Sequence, residues 1–153
     1  MRISAKTDYA IRAAAELAAA SGRGWIRTED VAQAQGIPLA FLLNILAELR
    51  TAGLVTSRRG VDGGYQLARP PEEITVADVI RAVDGPLANI AGTRPEDVAY
   101  TGAATALRDT WVALRATMRS VLERVSLADI VSGRLPDDVR ALLEHEDAWQ
   151  ARR

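Results

Sequence analysis

Apolar residues recur along this chain at two spacings. Leu42, Ile45, Leu46 and Leu49 fall at i, i+3, i+4 and i+7, one helical stripe facing a core, and Val76, Val79, Ile80 and Val83 repeat the pattern. Residues 7–20 are alanine-rich and space Tyr9, Ile11, Ala14, Leu17 and Ala18 for burial, which predicts an earlier helix with Asp8 and Arg12 paired on its surface. Between the leucine and valine stripes the period drops to two. Leu54 to Arg58 and Gly64 to Ala68 alternate apolar and polar positions, as short strands do. From Ala103 the helical period returns: Ala104, Leu107, Trp111, Leu114, Met118, Val121 and Val125 recur at intervals of three and four. That is a heptad seam of about three repeats, on a helix of roughly 33 Å. The predicted fold class is mainly α with a small β-hairpin.

Punctuating residues set the boundaries. Thr28 is a fitting N-cap for a short helix, Gly36 stops it, Pro38 suits the first turn of the next, and Gly53 closes the leucine-striped helix. Two helices joined by so tight a turn describe either a helix-turn-helix or an ordinary helical hairpin. The face opposite the leucine stripe carries Ala40, Asn44, Ala47 and Thr51, small or neutral enough for close approach to another surface. The strands are joined through Arg59-Gly60-Val61-Asp62-Gly63, whose Asp-Gly pair tolerates positive φ. A hairpin bearing Arg58 and Arg59 directly after a helix-turn-helix reads as the wing of a winged helix; the bland alternative is a solvated turn. Trp25 to Arg27 is a candidate third strand beside it. Thr75, with Asp78 at the capping-box position, opens the valine-striped helix and Gly85-Pro86 ends it. The domain reading is a winged helix over 1–86, a loop over 87–102 with a turn at Pro95 to Val98, a dimerisation helix over 103–125 and a helical tail over 126–153. In that tail Ser126 caps a turn ending near Gly133, and an acidic amphipathic segment carries Val139, Leu142, Leu143 and Trp149.

Composition narrows the function. The 153 residues hold no cysteine and one histidine, His145, which argues against zinc, a thiolate-held cluster and any Cys or Ser/His/Asp nucleophile. An enzyme is not expected, nor any cofactor or metal. No apolar run approaches the ~18 residues of a membrane span, and the N-terminus lacks a signal-peptide pattern, so the expected setting is cytoplasmic without a membrane partner. The net charge of −1 conceals an asymmetry: residues 1–70 carry nine Lys/Arg against six Asp/Glu, hence +3, and residues 71–153 carry ten against fourteen, hence −4. The positive half is the one with the helix-turn-helix.

The motifs together resemble the Rrf2 family of bacterial transcription regulators, which includes the iron-sulfur cluster regulator and nitric-oxide-sensing repressors. The resemblance runs from MRISAKTDYAIRA through GIPLAFLLNILAELRTAGLVTSRRGVDGGYQLARPPEEITVADVIRAVDGPL to LRDTW and SLADIV. RGVDGGYQLAR followed by ITVADVIRAVDGP is its most specific part. It implies a homodimer of winged helices with a long helix crossing to the other subunit, base-reading positions at Ala40, Phe41 and Asn44, and a wing arginine at Arg59. Cluster-sensing members place three cysteines in the loop before the long helix; the corresponding places fall near Thr93, Ala99 and Thr105, none of which holds iron as a thiolate does. Asp8 matches a position that some members use as a non-cysteine ligand, but one carboxylate does not hold a cluster.

The sequence therefore predicts a homodimeric, sequence-specific regulator, a repressor by promoter occlusion, that binds double-stranded DNA at a pseudo-palindromic operator without a cluster. Asn44 is suited to an adenine edge, Arg58 and Arg59 to phosphate or a narrow minor groove, and Arg27 and Thr28 to phosphate at a helix N-terminus. Leu107, Trp111, Leu114, Met118 and Val121 form the expected dimer interface, the alternative being that the long helix packs on its own subunit. A second functional reading is a winged-helix protein-interaction module, favoured by apolar Phe41 and Leu43. The effector stays open between a small molecule near Tyr100, Trp111 and the loop, a protein partner, and none.

Overall fold

The computed structural model describes residues 1–152. Its described residues form seven α-helices and one antiparallel hairpin: α1 (Ala5–Ala19), α2 (Thr28–Gln35), α3 (Leu39–Thr51), β1 (Val55–Arg58), β2 (Gly64–Leu67), α4 (Val76–Asp84), α5 (Leu107–Leu122), α6 (Leu127–Ser132) and α7 (Asp137–Leu142). Short 3-10 turns lie at Pro71–Glu73, Pro95–Asp97, Gly102–Ala104 and Glu146–Trp149.

α1 starts where Ser4 accepts a hydrogen bond from the Thr7 N–H at 3.0 Å. It then buries Ala10, Ala13, Ala14, Leu17 and Ala18. Alanine has no side chain to hold neighbours apart, so α2, α3, α4, α6 and β2 all reach this one helix. Leu42, Ile45, Leu46 and Leu49 of α3 meet it in the core, at most 1% exposed. Burying each such side chain contributes about 1.5–3 kcal/mol, well above any propensity difference between these residues, so the stripe fixes the rotation of α3. In α4 both halves of the Thr75 and Asp78 capping box are made, at 3.1 and 3.0 Å, and Val76, Val79 and Val83 are buried.

Several sequence expectations need correction. The N-cap of α2 is Arg27, whose side chain makes no capping bond, and Thr28 is already helical. Ile26 is held extended by two backbone bonds to Tyr65, 2.9 and 2.8 Å long, and the chain turns into the helix straight after it. For the same reason the expected third strand is a single bridge, Ile26 to Tyr65, with Gly24 at φ +89° just before it.

The seam helix is shorter than 103–125. Gly102 is left-handed and begins a separate 3-10 turn, so Ala104 lies outside α5. At the far end the Val125 carbonyl accepts from the Val76 N–H at 2.9 Å instead of continuing the helix. Sixteen residues remain, about 24 Å.

Residues 125–127 return the chain to the body. Ser126 bridges Thr75, the Leu127 N–H donates to the Ile74 carbonyl at 2.8 Å, and Leu127 is fully buried in the main core. α7 docks through Val139, buried beside Val76 and Val125. Arg124 adds an ion pair to Asp138 at 2.9 Å, which holds that carboxyl below its ordinary range. Leu142, Leu143 and Trp149 stay exposed. Among the described residues no single helix is long and apolar enough to cross a membrane.

Candidate nucleic-acid interface

The directions of α2 and α3 differ by 115°, within the range of a DNA-binding helix-turn-helix. Gly36 makes the corner by adopting φ +62°, its neighbour Ile37 plugs the core at 4% exposure, and Pro38 sets up the first turn of α3. No side chain caps α3, which leaves its first N–H groups free for an outside acceptor.

With the leucine stripe inward, α3 turns Ala40, Phe41 and Asn44 outward. Asn44 is exposed, and among the described residues its amide makes no hydrogen bond, so both its donor and its acceptor are available. Phe41 is only partly free. Its ring stands edge-on to Tyr9, centroids 5.6 Å apart at 82°, and Arg12 lies over the other aromatic ring at 5.2 Å. This stack ties the first turn of α3 to α1. Ala47 is half-buried, and Thr51 bonds back to its carbonyl at 3.0 Å.

Lys6 fixes the middle of α3. Its ammonium lies 2.9 Å from both carboxylate oxygens of Glu48 and donates to the Val83 carbonyl at 2.9 Å, joining α1, α3 and the end of α4. Beside it the buried Thr7 hydroxyl bonds to Asp84. Nothing in residue spacing pointed to this junction.

The wing follows α3 after Gly53. Val55 to Arg58 pair with Leu67 to Gly64 in register, and the turn closes through the Gly63 N–H and the Gly60 carbonyl at 3.1 Å. Arg58 and Arg59 are exposed where the first strand ends, and Val61 at the tip is 92% exposed. Val61 escaped sequence reading because a lone valine in a turn carries no periodicity. Arg50, in the last turn of α3, donates to the Ser57 hydroxyl at 3.1 Å and braces helix against wing. Arg27 and Thr28 sit at the uncapped start of α2, where Arg27 has Glu29 for company at 3.9 Å. The carboxylates of Glu29 and Asp30 already offset the positive end of that short helix.

On α5 the seam residues Leu107, Trp111, Leu114, Met118 and Val121 are each half-buried within the single chain. Val121 also packs with Leu122 against the Val76, Val125 and Val139 cluster. The Trp111 indole N–H donates to the Tyr100 hydroxyl at 3.1 Å. In the adjoining loop Thr93 and Ile90 exchange backbone hydrogen bonds, while Ala99 and Thr105 are exposed. Asp8 pairs with Arg12 at 2.9 Å. No group of three His, Cys, Asp or Glu able to hold a metal occurs among the described residues, so these positions do not fit an iron centre.

Residues 3–133 match the model of the Rrf2 family, described as iron-dependent transcriptional regulators. The chain belongs to this family. A candidate HTH-type transcriptional regulator of Mycobacterium tuberculosis is 51% identical over all 153 residues and 95% of its own length. The HTH-type regulator CymR of Bacillus subtilis is 33% identical over 86% of this chain and 91% of its own. The solved structure of CymR, titled the global cysteine regulator of that organism, superposes with a TM-score of 0.74 over 87% of this chain and 98% of its own, at 32% identity. T. potens IscR gives 0.69 over the whole chain and 94% of its own, at 29% identity. These Rrf2 relatives are transcription regulators and not enzymes, and the winged-helix fold is theirs.

The wing's placement is testable at Gly64. A Cβ there would lie 2.2 Å from the Ile26 carbonyl oxygen, and φ is +148°. Gly64→Ala is expected to break both Ile26 and Tyr65 backbone bonds, each worth about 0.5–1.5 kcal/mol, and so to speed exchange of those two amides by roughly tenfold or more. Protection equal to that of the wild type would show that another contact holds the wing.

Proposed function

We propose that the chain is a homodimeric, sequence-specific transcriptional repressor that binds a pseudo-palindromic operator and works without an iron-sulfur cluster. The observation that carries this reading is the exposed side of the helix-turn-helix. It offers the unbonded amide of Asn44 and the uncapped N-terminus of α3, and the hairpin braced to the same helix carries the exposed Arg58 and Arg59.

On this reading α3 enters the major groove, where Asn44 meets an adenine edge and Ala40 and Phe41 offer apolar contact to a thymine methyl. Arg58 and Arg59 lie along the backbone or in the adjacent minor groove, and Arg27 and Thr28 approach a phosphate. Two copies joined through the α5 seam present two such faces related by a two-fold axis, which is why the operator is expected to be pseudo-palindromic. Repression follows from occupying promoter DNA. The effector stays open between a small molecule at the loop beside Tyr100 and Trp111, a protein partner, and none.

A specific observation favours a second reading, a protein-interaction module. Leu39 and Leu43 leave 42% and 47% of their surface exposed on one flank of α3, and Phe41 leaves 42% exposed on the other. Binding to random duplex DNA separates the two, since an interaction module shows little affinity and little dependence on salt.

Four outcomes are expected. Asn44→Ala costs about 1–3 kcal/mol per half-site and relaxes preference at one base pair. Arg59→Ala weakens binding to operator and random duplexes alike and lowers the salt slope by about one for each half-site if it meets phosphate; on a narrow minor groove the loss grows with an A/T-rich flank. Fluorescence anisotropy at several salt concentrations reads both, and unchanged affinity for both variants would remove the DNA-reading assignment.

Leu114→Glu places a charge in the proposed two-fold contact at a cost of several kcal/mol, about that of other unpaired buried charges. Sedimentation is expected to show monomers; a dimer of wild-type strength would mean that the seam serves its own subunit. Protein purified without oxygen is expected to be colourless, and its DNA affinity indifferent to air. Stoichiometric iron and sulfide would refute the cluster-free reading.

A further inference from the structure

Away from the α3 and wing face, a concavity of about 490 Å³ lies where the end of α4, the following loop and α5 converge. Four guanidinium groups line it, Arg81 from α4, Arg94 from the loop, and Arg115 and Arg119 from α5, against one carboxylate, Glu96. Glu123 and Asp78 reach Arg81 and Arg119 from outside the lining, and even with them included the cations are in excess. In a chain whose net charge is −1, and whose C-terminal half is acidic, such convergence is not the background composition.

The four arginines are not equally engaged. Arg115 is the most buried, with 14% of its side chain exposed, and is occupied by Glu96, whose carboxyl is held below its ordinary range first by its own backbone N–H and then by Arg115. Arg81 is held by Glu123. Arg119 stands 3.9 Å from Glu123, beyond hydrogen-bond reach, and Arg94 has no ion pair among the described residues. Within this one lining Arg94 is unpaired among the described residues and Arg119 has only the long approach of Glu123, so each guanidinium fork is able to take a carboxylate or phosphate bidentately. Asn89 adds an amide, and Pro86 and Leu87 form an apolar wall. The volume far exceeds that of a single inorganic ion and falls in the range of small-molecule sites.

We propose that this concavity is a binding site for a small organic polyanion, one carrying at least two phosphate or carboxylate groups that engage Arg94 and Arg119 while its carbon skeleton rests on Pro86 and Leu87. The site is compatible with the dimer proposed above. On α5 Arg115 borders the apolar seam and Arg119 lies about 120° from its centre, so a partner seated on the seam meets Arg115 at its edge and leaves Arg119 open.

The test uses the full chain and two probes, inorganic pyrophosphate and citrate, with sodium chloride at matched ionic strength as the reference. Titration calorimetry and thermal unfolding are expected to show saturable binding and stabilisation by at least one probe and none by chloride. The probe that saturates identifies phosphate or carboxylate as the preferred group. Arg94→Gln combined with Arg119→Gln is expected to weaken that binding about tenfold or more, with circular dichroism confirming the fold. Arg58→Gln combined with Arg59→Gln, on the wing, is expected to leave it unchanged. Saturation by neither probe overturns the proposal, as does loss of binding in the wing variant with retention in the concavity variant. It falls equally if the concavity variant binds neither probe differently but lowers the salt slope for random duplex DNA, because the arginines are then a backbone contact for nucleic acid.

Discussion

Close approach to α1 is the constraint on which the rest of this molecule depends. Ala10, Ala13 and Ala14 are at most 2% exposed, and because each ends at a methyl group the surrounding elements can pack against the helix backbone itself. Any larger side chain at these positions pushes a neighbour outward, and the neighbours include both α3 and the strand that carries the wing. The geometry offered to a partner is thus set from the inside. Lys6, one turn earlier on the same helix, completes the arrangement by holding Glu48 on α3 and the Val83 carbonyl of α4 together.

Electrostatics divides the molecule differently from the packing. The α3 and wing region combines an uncapped helix start, the unbonded amide of Asn44, and Arg58 and Arg59, which make no ion pair among the described residues; Arg27 has Glu29 at 3.9 Å. The α5 side is laced with ion pairs, Arg115 with Glu96, Arg81 with Glu123 and Arg124 with Asp138. Pairs at or near the surface contribute little to stability, so their main effect is to orient the loop and helix ends they connect.

Local signals were legible in the sequence. The Leu42 to Leu49 stripe, Gly36 at the corner and the Thr75 and Asp78 capping box each express themselves within a few residues, and each sits where the spacing placed it; the hairpin turn is also where the spacing placed it, but Gly60 and Gly64, not Asp62 or Gly63, take its positive φ. What spacing missed is long-range. Lys6 meets residues 42 and 77 positions away, and no periodicity encodes such a partner. α6 was underestimated for the opposite reason: six residues are too few to show a period, yet Leu127 is as buried as any leucine of α3. The seam helix was overestimated because its heptad pattern continues through Ala104 and Val125, where Gly102 and the bond to Val76 end the helix regardless. For the candidate interface, exposure of Ala40, Phe41 and Asn44 followed directly from burial of the opposite stripe. The restraint on Phe41 by Tyr9 did not, since it needs two helices in contact.

The brace from Arg50 to Ser57 ties the hairpin to α3, and the bridge from Ile26 to Tyr65 ties it to the segment that leads into α2. On the proposed function, a hairpin tied in two places has less ordering entropy to lose on meeting a duplex. In that role the effect would belong to the search more than to the final bound state: fewer encounters would be wasted waiting for the hairpin to order, and one-dimensional sliding would proceed with helix and hairpin already in register.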